Sequence, residues 1–469
     1  MRRNTGVTHT VKKEDYFMKI IVVGCGKIGQ SIIASLISEG HDVVANDKDP
    51  EVLGEVTNDY DVFSICGIST DCEVLTEADT AKADIFIAVT GSDELNMLSC
   101  YLAKTLGAQN TIARIRNREY NEKSLGFLQH ELNLSMSINP EFFAAHDIYN
   151  VLKLPSAAHI ETFSTRNFEI VELILRENSP LSGVKIMDLR RQHKAKFLIC
   201  AVCRDEKVFI PDGNFVLQSG DRIALTAVPS EIIKLLKSLK ITQRSAKKVM
   251  ILGASRTGYY LARMLVLSGV SVIIIDKDQK VCEEIAEALP GATVILGDGA
   301  QQELLREEGL GEVDAFISLT GMDEQNILIS YYAHSQNVPK VITKVNRNEF
   351  IPLATGLGLD TIVSPRRTIS DVVLRYVRAL KNSVGSNVEK LYKIMDGKAE
   401  ALKFNVREDF KYIDIPLKDI NFISNILIAG ILRNRKAMVP TGDTVILPGD
   451  KVIVISAEHR LYDLADIIK

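Results

Sequence analysis

Long apolar runs are missing from this chain of 469 residues. The longest, such as 425–432 and 270–275, fall well short of the roughly 18 residues that span a bilayer, so any membrane role is expected to be peripheral. An excess of one charge is missing too: 56 Lys and Arg face 60 Asp and Glu, a formal charge of −4. Without a global basic field, a dedicated nucleic-acid binder is not expected. Cysteine is scarce and odd in number, with Cys25, Cys66, Cys72, Cys100, Cys200, Cys203 and Cys282 scattered along the chain. No signal-peptide pattern precedes them, and a reducing cytosolic compartment is expected. The eight histidines lack metal-ligand spacing, and no G-x-S-x-G, P-loop or Cys/His nucleophile pattern stands out. What remains is 46% apolar and 25% charged, an ordinary globular composition able to bury sizeable cores. At about 150 residues per domain the length suggests three domains, with two or four in range.

A long unit is used twice. IIVVGCGKIGQ, followed by HDVVAND, returns as VMILGASRTGY and VSVIIID, which pairs Gly24 with Gly253 and Asp47 with Asp276. ADIFIAVTGSDELN returns as VDAFISLTGMDEQN, and PDGNFVLQSGD as PTGDTVILPGD. Within the first unit, short apolar runs at 19–23, 43–46, 85–89 and 111–115 alternate with helical patterns, which implies a parallel sheet with crossover helices. An amphipathic helix is expected at 141–152, and a strand-rich α+β module from about residue 162. The second unit repeats the plan with a helix at 369–380, a polar linker at 381–389 and a strand-rich tail from about 391 to 457. The two helices are expected to act as hinges, their apolar faces packing either on neighbouring units or on their own sheets.

The sharpest motif, Gly24-Cys25-Gly26-Lys27-Ile28-Gly29, follows an apolar strand and opens a helix. Gly24 suits a tight turn, Gly26 lets the backbone approach a pyrophosphate, and Gly29 permits close packing of helix on strand. The helix N-terminus adds unpaired N–H donors and the positive end of a dipole. Asp47, at the end of the second strand, is placed for ribose hydroxyls, and its carboxylate disfavours a 2′-phosphate. NAD(H) is therefore expected over NADP(H), and the same geometry suits the adenosine half of ATP or ADP. The alternative is a Gly-rich turn kept for packing alone.

The second copy reads Gly253-Ala254-Ser255-Arg256-Thr257-Gly258. Ser255 crowds the phosphate position, although its hydroxyl can donate to a phosphate. Arg256 adds positive charge and Asp276 keeps the ribose position; the alternative is a degenerate copy kept for its fold. Thr90 and Thr320 end strands that border the ligand crevice of a doubly wound sheet, whereas Asp93 and Asp323 are read as caps of the helices that follow. Arg114 and its counterpart Lys344 can neutralise phosphate, the arginine bidentately, with a surface ion pair as the alternative. Cys200 and Cys203 form a C-x-x-C inside the apolar run 197–203 and are read as core residues.

These motifs resemble the TrkA family of Trk-type potassium uptake regulators, over residues 18–469. The family's modules are called RCK domains, for regulating conductance of potassium, or TrkA-N and TrkA-C. The resemblance implies an α/β chain of two tandem units, each a Rossmann-like doubly wound parallel sheet followed by a small α+β RCK-C (TrkA-C) domain. The expected boundaries are a disordered arm or start artefact at 1–17, a first nucleotide-binding RCK N-domain at 18–140, an exit helix and first TrkA-C domain at 141–240, a second nucleotide-binding N-domain at 247–365, and a second exit helix and TrkA-C domain at 366–469.

The resemblance further implies a non-enzymatic cytoplasmic protein, peripheral on the inner face of the cell membrane. It would assemble as a homo-oligomeric ring, a tetramer, bind NAD(H) and ATP or ADP, and gate a separate TrkH-like membrane-embedded potassium-translocating subunit. By carry-over, Gly24, Gly26, Lys27, Ile28, Gly29, Asp47, Thr90 and Arg114 line the first nucleotide site. Gly253, Ser255, Arg256, Gly258, Asp276, Thr320 and Lys344 line the second. The second unit has the family's small polar turn at Gly297-Asp298-Gly299, but the first has Gly67-Ile68-Ser69; together with Ser255 this implies inequivalent sites.

An NAD-dependent dehydrogenase is the rival reading, because it shares the fingerprint. It needs a module that brings a general acid or base to the nicotinamide, and the strand-rich modules carry no such constellation beyond His193. A channel or antiporter with attached RCK modules needs apolar spans that the chain lacks.

Overall fold

Short runs of branched apolar residues alternate with helices in the first of two compact units, which ends at Ile138. In chain order these are β1 (Lys19–Val23), α1 (Lys27–Ser38), β2 (Asp42–Asp47), α2 (Pro50–Asp59), β3 (Phe63–Cys66), α3 (Cys72–Glu77), β4 (Ile85–Ala88), α4 (Asp93–Leu106), β5 (Asn110–Arg114), α5 (Glu122–Glu131) and β6 (Met136–Ile138). The computed structural model describes residues 17–469 apart from 118–119, 121, 154–158, 165–167, 176–178, 194–195, 240–245, 384–387 and 435. The expected arm or artefact at 1–17 thus lies, but for Phe17, outside the described residues.

The strands pair in parallel in the order β3-β2-β1-β4-β5-β6. Ile20, Ile21, Val22, Ile85, Phe86 and Ile87 are fully buried, as expected of a sheet covered on both faces, whose strands read as unbroken apolar runs. The strand order reverses between β1 and β4, and a crevice at the carboxyl ends of these two strands is where such sheets take ligands.

The second unit, Asn139–Lys469, opens with α6 (Pro140–Lys153). It continues through β7 (His159–Ser164), β8 (Phe168–Ile174), α7 (Ile186–Gln192), β9 (Leu198–Arg204), β10 (Lys207–Phe209), β11 (Arg222–Ala227) and α8 (Pro229–Ser238). These strands form an antiparallel sheet, β10-β9-β11-β8-β7. A second parallel sheet follows: β12 (Lys248–Leu252), α9 (Arg256–Leu267), β13 (Ser271–Asp276), α10 (Gln279–Ala288), β14 (Ala292–Leu296), α11 (Gln302–Glu307), β15 (Ala315–Ser318), α12 (Asp323–Ser335), β16 (Lys340–Lys344), α13 (Ile351–Gly356) and β17 (Ile362–Val363). Its order, β14-β13-β12-β15-β16-β17, reproduces the first sheet strand for strand. The chain closes with α14 (Pro365–Ser383), β18 (Val388–Ile394), β19 (Ala399–Asn405), β20 (Ile426–Arg433), β21 (Lys436–Met438) and β22 (Lys451–Ser456), ordered β18-β19-β22-β20-β21.

Both long helices begin earlier than their apolar periodicity suggests, at Pro140 and Pro365. Proline fits the first helical position, where its missing N–H is no loss, and the polar Arg366 and Arg367 hid the first turn of α14. The apolar face of α6 is used on the second repeat: Ala144, Ala145, Ile148, Val151 and Leu152 share a core with Val249, Leu261, Ala262 and Leu265. The adjacent alanines allow close approach, and Phe142 meets Tyr260 edge-on at 5.5 Å. The two antiparallel sheets pack face to face through small residues, with Cys200, Ala201 and Ala224 against Ala401, Ala429 and Ile455. Across that core the Thr226 hydroxyl donates to the Ala429 carbonyl at 3.1 Å.

Candidate functional site

The three glycines of the first turn have different reasons to be glycine. Gly24 has a φ of +89°, and a Cβ there would lie 2.7 Å from the Thr90 nitrogen. A Cβ on Gly29 would collide with the Gly24 carbonyl oxygen. Both are therefore demanded by the close approach of α1 to β1 and β4. Gly26 is exposed, has ordinary φ, and an added Cβ would meet no atom within 4 Å. The packing of the chain thus makes no steric demand for glycine at this position.

Gly26 caps α1 without a side-chain hydrogen bond, so the first N–H groups of the helix, on Lys27, Ile28 and Gly29, have no intrahelical partner. Asp47 holds the turn in shape: its Oδ2 accepts from the Cys25 N–H at 2.7 Å and its Oδ1 from the Asp49 N–H at 3.1 Å. Each oxygen keeps a further lone pair. Cys25 itself is buried, and burial, then the Asp47 charge, push its thiol up to about 12. It stays protonated and is no nucleophile.

Thr90 and Arg114 form the opposite rim. The Thr90 N–H and hydroxyl both donate to Asn96 Oδ1, at 2.8 and 2.7 Å, while the Asn96 amide donates to the Arg114 carbonyl at 2.9 Å. Arg114 is buried and its guanidinium donates to the Thr90 carbonyl, so it braces the rim from within. Asp93 corrects an expectation. The cap of α4 is Ser92, which accepts from Leu95 N at 3.2 Å, whereas Asp93 accepts from the Arg116 and Asn117 N–H groups, both at 2.7 Å. Asp93 ties the loop after β5 to the start of α4.

The second crevice repeats this frame with differences at Ser255, Arg256 and Lys344. Gly253 has a φ of +100° and Gly258 abuts the Gly253 carbonyl, as in the first copy. Asp276 Oδ2 accepts from Ala254 N at 2.6 Å and Oδ1 from Asp278 N at 2.9 Å. Thr320 and Asn326 repeat the rim contacts at 2.9 and 2.7 Å, and Asp323 accepts from Asn346 and Arg347 N–H groups at 2.9 Å each, again a loop tie and not a cap. Ser255, in the place of Gly26, turns its hydroxyl onto the Gly258 N–H at 3.3 Å. The helix end that is open in the first copy is thus capped by the chain itself, and Arg256 beside it is exposed. Lys344 reaches the Leu319 carbonyl at 3.3 Å. Burial pulls its ammonium below the ordinary lysine range, partly offset by Asp323 and Glu141.

The TrkA-N domain family matches residues 20–127 and 249–365, and the TrkA-C domain family matches 170–240 and 402–469. The chain is 30% identical over 452 residues to a Trk system potassium uptake protein TrkA homolog of Archaeoglobus fulgidus, covering 96% of this chain and 100% of that protein. It is 28% identical over 450 residues to the Trk system potassium uptake protein TrkA of Haemophilus influenzae, covering 94% and 96%. The chain belongs to the TrkA family.

Solved structures share the fold of this TrkA chain. The GsuK RCK domain aligns with a TM-score of 0.61 at 18% identity, over 95% of this chain and 93% of that one. The GsuK channel bound to NAD aligns with a TM-score of 0.60 at 18% identity, over 95% and 78%. No helix among the described residues is long and apolar enough to cross a membrane, and none of them form a cluster of three or more metal-ligating side chains.

Two functions of the TrkA signature were not read from sequence. Asn96 and Asn326, fully buried, lock each crevice rim; their return in both copies was the available signal. In the TrkA-C modules the repeated Gly-Asp is a bracket. Asp221 accepts from Arg204 Nε and Nη2 at 2.7 Å each and from Gln218 N at 2.7 Å. Asp450 does the same with Arg433 at 2.8 and 2.7 Å and Leu447 N at 2.9 Å. Cys200 lies in the buried core, donating to the Ala224 carbonyl at 3.2 Å, with its thiol pushed up by burial; Cys203 is half-buried beside it.

Proposed function

We propose that this TrkA chain is a nucleotide-sensing regulatory subunit that gates a separate, TrkH-like membrane-embedded potassium-translocating subunit. The observation that carries the reading is Gly26: the packing of the chain does not need a glycine there, and an approaching phosphate does. In the first crevice the phosphates of NAD(H), ATP or ADP would lie over residues 24–29. The N–H groups of Lys27, Ile28 and Gly29 would hold them at the positive end of α1. Asp47 would accept from ribose hydroxyls while keeping its hold on the turn, and Thr90 and Arg114 would close the rim. In the second crevice Ser255, Arg256, Gly258, Asp276, Thr320 and Lys344 would do the same around a narrower phosphate position. Solved neighbours of the same fold, one bound to NAD and one to ADP, support a nucleotide in these crevices.

The ligand is sensed and not transformed. Cys25 is held protonated, and the crevice residues offer no general acid or base to a nicotinamide. A ligand moves a partner only through different affinities for two conformations, and several coupled sites supply the several kcal/mol that such a shift needs. The working form is a homo-oligomer, a tetramer presenting eight parallel-sheet modules, on the cytoplasmic side of the membrane, with α6 and α14 as the hinges. Calorimetry of NADH, NAD, ATP and ADP on the full chain tests this directly, with binding expected and a Gly26→Val chain expected to lose the stronger site. Absence of binding for all four nucleotides would end it.

A further inference from the structure

A cavity of about 150 Å3 lies within the second unit, and no residue of either glycine turn lines it. Its walls come from α6, α13, β17, α14 as far as Arg375, strands β8 and β11 of the first TrkA-C module and β18 of the second. It is smaller than the roughly 300–1,000 Å3 that encloses a drug-sized ligand and suits a small ligand better than a nucleotide.

Two cations at its wall lack a carboxylate partner, and one hydroxyl lacks a hydrogen bond, among the described residues. Arg375 stacks over the Tyr392 ring, 5.1 Å from its centroid, and neither Arg375 nor Lys393 has a carboxylate partner among the described residues. Thr361 is only 2% exposed, yet its hydroxyl makes no hydrogen bond among the described residues. The 19-residue helix α14 starts at the same wall, where Ser364 accepts from the Arg367 N–H at 3.4 Å and the positive end of the helix dipole lies.

The carboxylates lining the cavity are already engaged. Glu172 accepts from the Met395 N–H at 2.8 Å and pairs with Arg222 at 2.7 Å. Asp147 accepts from the Thr368 hydroxyl at 3.3 Å, and Asp360 and Asp371 have partners of their own. The free capacity is therefore cationic and donating.

We propose that this cavity binds a small oxyanion, a phosphate or a carboxylate, held by Lys393, Arg375 and the Thr361 hydroxyl. Such a ligand ties together segments of both TrkA-C modules, the first exit helix and the second parallel sheet. It therefore favours whichever conformation keeps them closed, an input separate from the nucleotides.

The test is calorimetry on the full chain with inorganic phosphate and with acetate as probes. Saturable binding of one of them is expected, and its identity tells a phosphoryl from a carboxyl ligand. Lys393→Gln should weaken that binding at least fivefold. Thr361→Val, which keeps the shape of the side chain, should weaken it at least twofold, and both chains should bind NADH and ATP as the parent does. Neither probe binding, or an affinity unchanged in Lys393→Gln, overturns the proposal. So does a probe affinity that responds to Gly26→Val alone, which would put the anion in the nucleotide crevice.

Discussion

Ser255 stands where Gly26 stands in the repeat, and its hydroxyl takes the Gly258 N–H at 3.3 Å, whereas the equivalent end of α1 has no side-chain cap. One turn has thus been kept twice, once open and once self-capped, on frames whose outer glycines are the same.

Substitutions within the first turn should separate folding from binding. A Cβ at Gly26 meets no atom within 4 Å, so Gly26→Val should cost no more than about 1 kcal/mol of stability, the scale of a poorer helix cap, while weakening nucleotide binding at least tenfold. Gly29→Ala collides with the Gly24 carbonyl and should cost about 1–3 kcal/mol of stability, the usual scale of overpacking. Ser255→Gly should cost the helix only a few tenths of a kcal/mol, about what a capping residue loses to glycine, and should raise nucleotide affinity in the second repeat. Thermal melts and calorimetry on the three chains check the set; a Gly26→Val chain that binds like the parent would contradict it.

Asp47 has two duties, and its replacement should show both. Asp47→Ala removes the acceptors of the Cys25 and Asp49 N–H groups together with the ribose contact. A loss of about 1.5–3 kcal/mol in nucleotide binding is expected, the scale of hydrogen bonds to a charged group, with a measurable drop in stability. Asp276→Ala should act on the second site alone. Unchanged affinity for all four nucleotides in Asp47→Ala would show that the carboxylate only braces the turn.

The second site should be sensitive to alkaline pH. Burial pulls Lys344 below the ordinary lysine range. Between its folded value and that of the unfolded chain, the unfolded state carries the extra proton, so stability from this group rises with pH through that window. Phosphate binding has the opposite sign: it needs the ammonium, so affinity at the second site should fall as pH rises through the lowered value. Titrations from neutral to alkaline pH on a Gly26→Val background should show that fall, and Lys344→Arg, whose guanidinium stays charged, should abolish it.

The parallel sheets were legible because strands buried on both faces read as continuous apolar runs, IIVV and IFIA among them, with a glycine turn directly after the first. The tandem plan was legible from the repeat. The rim was not. Asp93 sits where a helix cap would sit, but its partners are the N–H groups of Arg116 and Asn117, brought there only when β5 packs beside β4. Arg114 looks like a free phosphate ligand in one dimension; in the fold its guanidinium turns onto the Thr90 carbonyl. The swap of α6 onto the second repeat leaves no mark in its own periodicity, which says that a face is apolar and not what covers it.

No turnover is expected. Purified chain with NAD and a panel of hydroxy and amino acids should form no NADH. Substrate-dependent NADH formation abolished by Asp47→Ala would replace the regulatory reading with a dehydrogenase.

Potassium flux through the proposed membrane-embedded subunit, reconstituted with this chain, is the decisive measurement. Flux should change with ATP, ADP and NADH in the same order as their measured affinities and should lose most of that dependence in Gly26→Val. Flux indifferent to every nucleotide while the crevices are filled would contradict nucleotide gating.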